Sequence, residues 1–221
     1  VYQATARFGF NNGRMRIDTL HAETVGGIVS AHGAFGLTSA VTDSLRYTVK
    51  IDSLGGLRRY LGAAAEPVVD GGVAAPSDSI DGTVNIGGSV HGNLDSLVVR
   101  GDSLAARDIW IRGNQVKAVV GGFEYNKVRG AISGGLSARI DTAVVANMGV
   151  TNGTLAFRAS DIHNGQFRVE ATSVNGPSLL VHGDGSMFGD TTTVRLDSVV
   201  LSVRDHRLTL ERPTTIVSRS D

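Results

Sequence analysis

Leu45-Arg46-Tyr47-Thr48-Val49-Lys50-Ile51 alternates apolar and polar side chains without a break. In an extended strand successive side chains point to opposite faces, so this stretch has one dry face and one wet face. Such a strand belongs to an antiparallel sheet that meets water on one side, because strands of a doubly covered parallel sheet are apolar throughout. Phe167-Arg168-Val169-Glu170-Ala171-Thr172, Leu155-Ala156-Phe157-Arg158 and Leu136-Ser137-Ala138-Arg139-Ile140 repeat the pattern. Met15-Arg16-Ile17 and Val84-Asn85-Ile86 are shorter copies. The pattern predicts an all-β chain built as an elongated, largely antiparallel meander.

Glycine and asparagine punctuate these runs at Asn11-Asn12-Gly13, Gly26-Gly27, Gly87-Gly88, Gly113-Asn114, Gly121-Gly122, Gly134-Gly135, Asn152-Gly153, Asn164-Gly165 and Asn175-Gly176-Pro177. Such pairs adopt the positive φ angles of tight hairpins, and their spacing predicts a dozen or more strands. An Asp-Ser pair followed by an apolar residue recurs at Asp43, Asp52, Asp78, Asp95, Asp102 and Asp197. Both side chains hydrogen-bond nearby backbone and favour corners. At Asp197-Ser198 the apolar phase also slips, from Val194 and Leu196 to Val199, Leu201 and Val203, which predicts a β-bulge. One segment breaks the alternation: Leu54, Leu57 and Leu61 have helical spacing, with Ser53 and Gly62 as caps. The expected organisation is a first β segment over 1–62 ending in that helix and a loop over 63–79. A second β segment over 80–221 then continues the first.

Composition narrows the function. Twenty-one basic residues balance 21 acidic ones, which argues against nucleic acid. With no cysteine there are no disulfides or thiolate metal sites, and the compartment stays open. No apolar run approaches the ~20 residues of a membrane-spanning helix. The chain opens at Val1 without a leader and reads as a fragment, with any anchor outside it. His21, His32, His91, His163, His182 and His206 are scattered, and none pairs at metal-ligand spacing. There is no nucleophile elbow and no phosphate loop. His182-Gly183-Asp184-Gly185-Ser186-Met187-Phe188-Gly189-Asp190 fits no calcium loop and reads as a hairpin tip; Arg100-Gly101-Asp102 reads as a turn. No enzyme and no cofactor are expected. Aromatics are only 5% of the chain, so the dry face is mainly Val, Leu, Ile and Ala, suited to an open groove as well as to a closed sandwich.

The C-terminal stretch resembles a unit of the AsmA/TamB family. Val194-Arg195-Leu196-Asp197-Ser198-Val199-Val200-Leu201 leads into Leu208-Thr209-Leu210-Glu211-Arg212-Pro213-Thr214-Thr215-Ile216, with Leu208 where that family often has Trp. Residues 52–62 look like its Asp-Leu-x-x-Leu element, and Gly82-Thr83-Val84 through Gly92-Asn93-Leu94 resemble its strand openings. The resemblance implies a U-shaped β-taco with an apolar inner groove. It implies a location in the periplasm of a diderm bacterium, anchored to the inner membrane through a segment not present here. It further implies transport of phospholipids between the inner and outer membranes, with acyl chains as ligands and neither cofactor nor metal. The groove lining is then expected to include Leu45, Tyr47, Val49, Ile51, Val84, Ile86, Ile109, Ile111, Leu155, Phe157, Phe167 and Val169, while the face taken by Trp110 depends on a register the sequence leaves open. Two alternatives stand beside this: help to outer-membrane β-barrel or autotransporter assembly with a barrel partner, by strand addition, and a parallel β-helical adhesin segment.

Overall fold

The computed structural model describes residues 3–57, 80–111, 114–145, 148–173 and 176–219. They form one antiparallel sheet of 14 strands and one short helix. In chain order these are β1 (Gln3–Asn11), β2 (Arg14–Thr24), β3 (Gly27–Gly36), β4 (Asp43–Ile51), α1 (Leu54–Leu57), β5 (Ile80–Gly92), β6 (Ser96–Ile111) and β7 (Asn114–Val128). There follow β8 (Ala131–Val145), β9 (Met148–Ala159), β10 (Asn164–Ser173), β11 (Ser178–Phe188), β12 (Thr191–Val203), β13 (His206–Thr209) and β14 (Thr214–Arg219). Each strand pairs with the next as far as β13, and β14 returns to the first half of β12 while β13 occupies its second half. The sheet is an open meander, not closed into a barrel. Its antiparallel ladder has none of the coils of a parallel β-helix.

Local chemistry explains the hairpins. Asn12 and Gly13 have φ of 48° and 72°, and Arg129 and Gly130 have 50° and 88°. Two consecutive positive φ values twist a two-residue loop in the same sense as the strands it joins. Gly176, at φ 94°, turns β10 into β11. Ser53 Oγ accepts the Gly56 N–H at 3.1 Å and caps α1. Of the helix expected over 53–62, residues 58–62 lie outside the described residues, as does the loop expected over 63–79. On either side of that segment β4 pairs directly with β5, so both flanks belong to one sheet.

Several glycine signals mean something else. Gly87-Gly88, Gly121-Gly122, Gly134-Gly135 and Asn152-Gly153 fall inside β5, β7, β8 and β9, and Arg100-Gly101-Asp102 lies within β6. None is a turn, and strands β5 to β8 run for 13 to 16 residues. The tip of the segment from His182 to Asp190 is only Gly189-Asp190, since β11 continues to Phe188.

The bulge expected at Asp197 is present: His182 faces Ser198 and Gly183 faces Leu196, leaving Asp197 as the extra residue. The same device recurs at Asp18-Thr19 against β1, Asp102-Ser103 against β5 and Asp141-Thr142 against β7. In each case a three-residue step (Ile17 to Leu20, Gly101 to Leu104, Ile140 to Ala143, Leu196 to Val199) returns the apolar residue to its face. Arg16 Nε holds Asp18 at 2.7 Å and Arg195 Nε holds Asp197 at 3.2 Å, so these carboxylates have partners on the wet side.

Among the described residues no second layer covers the sheet. Extensive contacts among the described elements run between strands paired in the ladder and between α1 and β5. The buried apolar residues are Ile17, Ala31, Ala106, Ile109 and Ala143, and no large side chain is completely enclosed. Yet from Ser44 to Ile51 on β4 the apolar positions are half-buried while the polar ones are exposed. Half-burial without a cover is consistent with a sheet curled about its apolar side.

The one buried polar residue among those described is Asn93, which ties the β5–β6 turn to the β3–β4 loop. Its Oδ1 accepts Asp95 N at 3.0 Å and Ser96 N at 2.9 Å, and its Nδ2 donates to Ser39 O at 3.4 Å. Asn93→Ala strands those partners and is expected to cost about 2 kcal/mol. Arg16→Ala, on the exposed face, is expected to change stability by less than about 1 kcal/mol. Equilibrium urea unfolding of the two variants checks the contrast.

Candidate functional site

The register assembles the dry sides of the strands into straight apolar rows that cross the sheet. One row reads Val29, Val49, Ile86, Leu104, Gly121, Ala138, Leu155, Val169, Val181 and Val199 from β3 to β12, each residue facing the next. A neighbouring row reads Ala31, Tyr47, Gly88, Gly101, Phe123, Leu136, Phe157, Phe167, Gly183 and Leu196. A third contains Ile51, Val84, Ala106, Val119 and Ile140. With strands about 4.8 Å apart, a ten-strand row is roughly 43 Å long.

The expected lining residues whose side chains are described lie on one side of the sheet. Val49 faces Ile86, Ile51 faces Val84, Leu155 faces Val169, and Phe157 faces Phe167. Leu45 and Tyr47 face Val90 and Gly88 on the same side. Ile109 is buried above Gly82, where an added methyl would lie 2.6 Å from Ile109 Cδ1. The side chain of Ile111 lies outside the described residues. Trp110 faces Asp81 and Gln115, and alternation from Ile109 sets it on the wet face, 43% exposed. Leu104, Phe123 and Val181 join the surface although the sequence did not single them out, as do Leu136 and Val199, which it read as strand positions but not as lining. Mid-strand glycines and bulges interrupt the alternation that marks such residues.

The mid-strand glycines have a purpose on this face. A methyl on Gly101 would overlap the ring of Phe123. One on Gly165 would lie 2.6 Å from Phe157 Cζ, and one on Gly183 would meet the Arg195 carbonyl first and then Phe167 Cζ at 3.0 Å. Tyr47 crosses Gly88 to donate its hydroxyl to Arg100 O at 3.0 Å, on the strand beyond. Large rings therefore lie down across glycines on adjoining strands. Glycine weakens a strand interior by roughly 0.5–1 kcal/mol, which ring contact partly offsets.

The wet face carries short ion pairs: Arg14 to Asp43 at 2.6 Å, Lys50 to Asp52 at 2.9 Å and Arg100 to Glu124 at 2.8 Å. Hydrogen bonds from Asn126 and then Arg100 hold Glu124 below the usual carboxylate range. Exposed pairs of this kind contribute at most about 1 kcal/mol each. An open hollow of about 550 Å³ is lined by Glu124, Arg158, Arg168 and His182 with Gly122, Gly135, Ser137, Ala156 and Gln166, and also by Phe123, Leu136, Phe157 and Phe167 of the apolar row.

The remaining polar clusters are turn chemistry. Asp161 accepts Asn164 Nδ2 at 3.0 Å, His163 N at 2.7 Å and Asn164 N at 2.8 Å, and these bonds hold its carboxyl below the usual range. His163 stacks on Phe188 at 4.7 Å and bonds Met187 O. Among the described residues no three His, Asp or Glu side chains converge as for a metal. No described helix is long and apolar enough to cross a membrane. Comparisons with protein families, curated proteins and solved structures give no match to this chain.

Tyr47 supplies a test of how this face is built. Burial first, and then the Asp102 carboxylate, raise its pKa above the usual phenol value. The folded state thus holds the phenolic proton more tightly than the unfolded chain. That contribution to stability is complete below pH about 10 and is lost as pH rises through the raised pKa. Tyr47→Phe is expected to cost about 1 kcal/mol at neutral pH for the lost bond. It should also lose less stability than the parent on going to strongly alkaline pH, as read from urea midpoints.

Proposed function

We propose that the apolar face carries phospholipid: acyl chains lie along the rows while headgroups stay in water at the rim of the curled sheet. The observation that carries this is an unbroken apolar row ten strands long on a face that no described element covers. An acyl chain leaving a bilayer loses about 0.8 kcal/mol for each methylene exposed to water. A row of roughly 43 Å exceeds the ~15 Å of hydrocarbon in one bilayer leaflet, so a whole tail fits with room to move. Repetition of near-equivalent Val, Leu and Ile positions gives no deep local well, which favours passage over storage. Such a device works by shape and solvation, without a catalytic residue, metal or cofactor.

Together with the resemblance of the C-terminal stretch to AsmA/TamB units, this reading makes the chain a segment of an envelope bridge. It would stand in the periplasm, with an inner-membrane anchor elsewhere in the protein, and carry phospholipids between inner and outer membranes. A second reading, assistance to outer-membrane barrel assembly, is favoured by one observation. Among the described residues β1 pairs only with β2, all nine of its residues are exposed, and Phe8 and Phe10 continue the apolar face onto it. An unpaired, unprotected edge of that kind accepts an extended strand.

Mass spectrometry of the purified chain is expected to find co-purifying phospholipid, and a lipid-free preparation that takes up none from vesicles overturns the proposal. Single charged substitutions at Val49, Ile86 or Leu155 should do little, because the lining acts collectively. The triple variant Val49→Glu, Ile86→Glu, Leu155→Glu, with three charges in one row, should stay β-rich by circular dichroism and lose lipid loading.

A further inference from the structure

We propose that Tyr47, Phe123, Phe157 and Phe167 set the clearance of the groove, by lying flat on glycine seats, and so select slender flexible tails over bulky ones; this rests on the lipid reading above. All four stand in one row, and that row runs across the strands along the length of the apolar surface. Upright, each ring would be a post in the path of a sliding chain. The seats prevent that.

Gly88 and Gly101 lie side by side on β5 and β6; Tyr47 comes over Gly88 from β4 while Phe123 comes over Gly101 from β7. Phe157 lies against Gly165 and Phe167 against Gly183. The Tyr47 hydroxyl is turned away from the path and bonded to Arg100 O, so the row presents ring faces and no free polar group at that point. At Gly88 and Gly183 a backbone carbonyl, Arg100 O and Arg195 O respectively, already excludes a side chain. At Gly101 and Gly165 the first atoms an added methyl would meet belong to the Phe123 and Phe157 rings, although glycine is disfavoured in strand interiors for want of a side chain to pack. Glycine there has the specific effect of keeping bulky neighbours low.

Gly101 and Gly165 offer the cleanest changes. At Gly101 the atoms an added methyl would meet all belong to the Phe123 ring; at Gly165 the Phe157 ring again meets it first. In Gly101→Ala and Gly165→Ala the ring must lift into the path. Phe123→Leu and Phe157→Leu do the opposite and lower the floor. The measurement is transfer from donor to acceptor vesicles of two phosphatidylcholine probes, one with a pyrene on its tail and one with straight tails and a headgroup dye.

The ratio of pyrene-tail to straight-tail transfer should fall several-fold in the glycine variants and rise in the leucine variants. Gly101→Ala combined with Phe123→Leu should return it to the parental ratio. A role confined to holding the sheet together would lower stability in both sets without moving the ratio in opposite directions. If the parent carries both probes and the ratio stays fixed in the leucine variants, which need no glycine variant to fold, the inference is wrong and the lipid reading survives. If the parent carries neither probe, the lipid reading itself fails.

Discussion

The described structure depends on an apolar sheet face that no described element covers. Most β domains hide such a face against another sheet or a helix and seal a core. Here the main-chain ladder and same-face neighbours supply the cohesion. No large side chain is fully enclosed, and the best-buried apolar residues are as small as Ala31, Ala106 and Ala143. The sheet must therefore stay curled, in one register and uninterrupted, or the face opens to water. Register is the quantity that cannot fail, because a slip of one residue would turn a whole strand's apolar set to the wet side.

Bulges and glycines maintain that register in complementary ways. Asp18, Asp102, Asp141 and Asp197 each insert one residue where the apolar phase would drift. Asp is apt for the position: its carboxylate accepts nearby donors and finds a cation two residues back, as Asp18 does with Arg16 and Asp197 with Arg195. The glycines make room for large neighbours, so that rings pack along the sheet instead of standing above it. Polarity on one face and ring placement on the other are separate requirements, and each strand meets both.

The alternation of residues 45–51 was enough to read the architecture, and the phase slip at Asp197 was enough to read one bulge. The other bulges escaped because Asp18-Thr19 and Asp141-Thr142 carry Thr instead of Ser, and because Asp102 was masked by its place after a glycine. The glycine pairs misled for a physical reason. Positive φ and the absence of a side chain are two properties of one residue, and only the first belongs to turns. Gly13 and Gly130 are used for the first, Gly101 and Gly165 for the second. The partner that distinguishes them, an aromatic ring across the ladder, is far away in sequence: Phe123 is on the next strand from Gly101. The lining was legible where alternation was clean, as at Leu45, Val49, Leu155 and Val169, and lost where glycines stood next to the apolar residue, as at Phe123 after Gly121-Gly122.

The two ends of the sheet are built differently. At one end β1 offers nine exposed residues, with Phe8 and Phe10 extending the apolar rows and no proline or inward charge to block a further strand. At the other, β13 and β14 are short, they share β12 between them, and Pro213 with Arg207 and Arg212 breaks the edge. Short strands, proline and charge are the means by which sheets stop growing. Apolar pairing nevertheless spans the described sheet: Phe8 on β1 faces Ile17, Leu201 faces Leu208 on β13, and Val194 faces Ile216 on β14. The two edge regions therefore differ in strand length, proline and charge while the apolar face itself is kept across both.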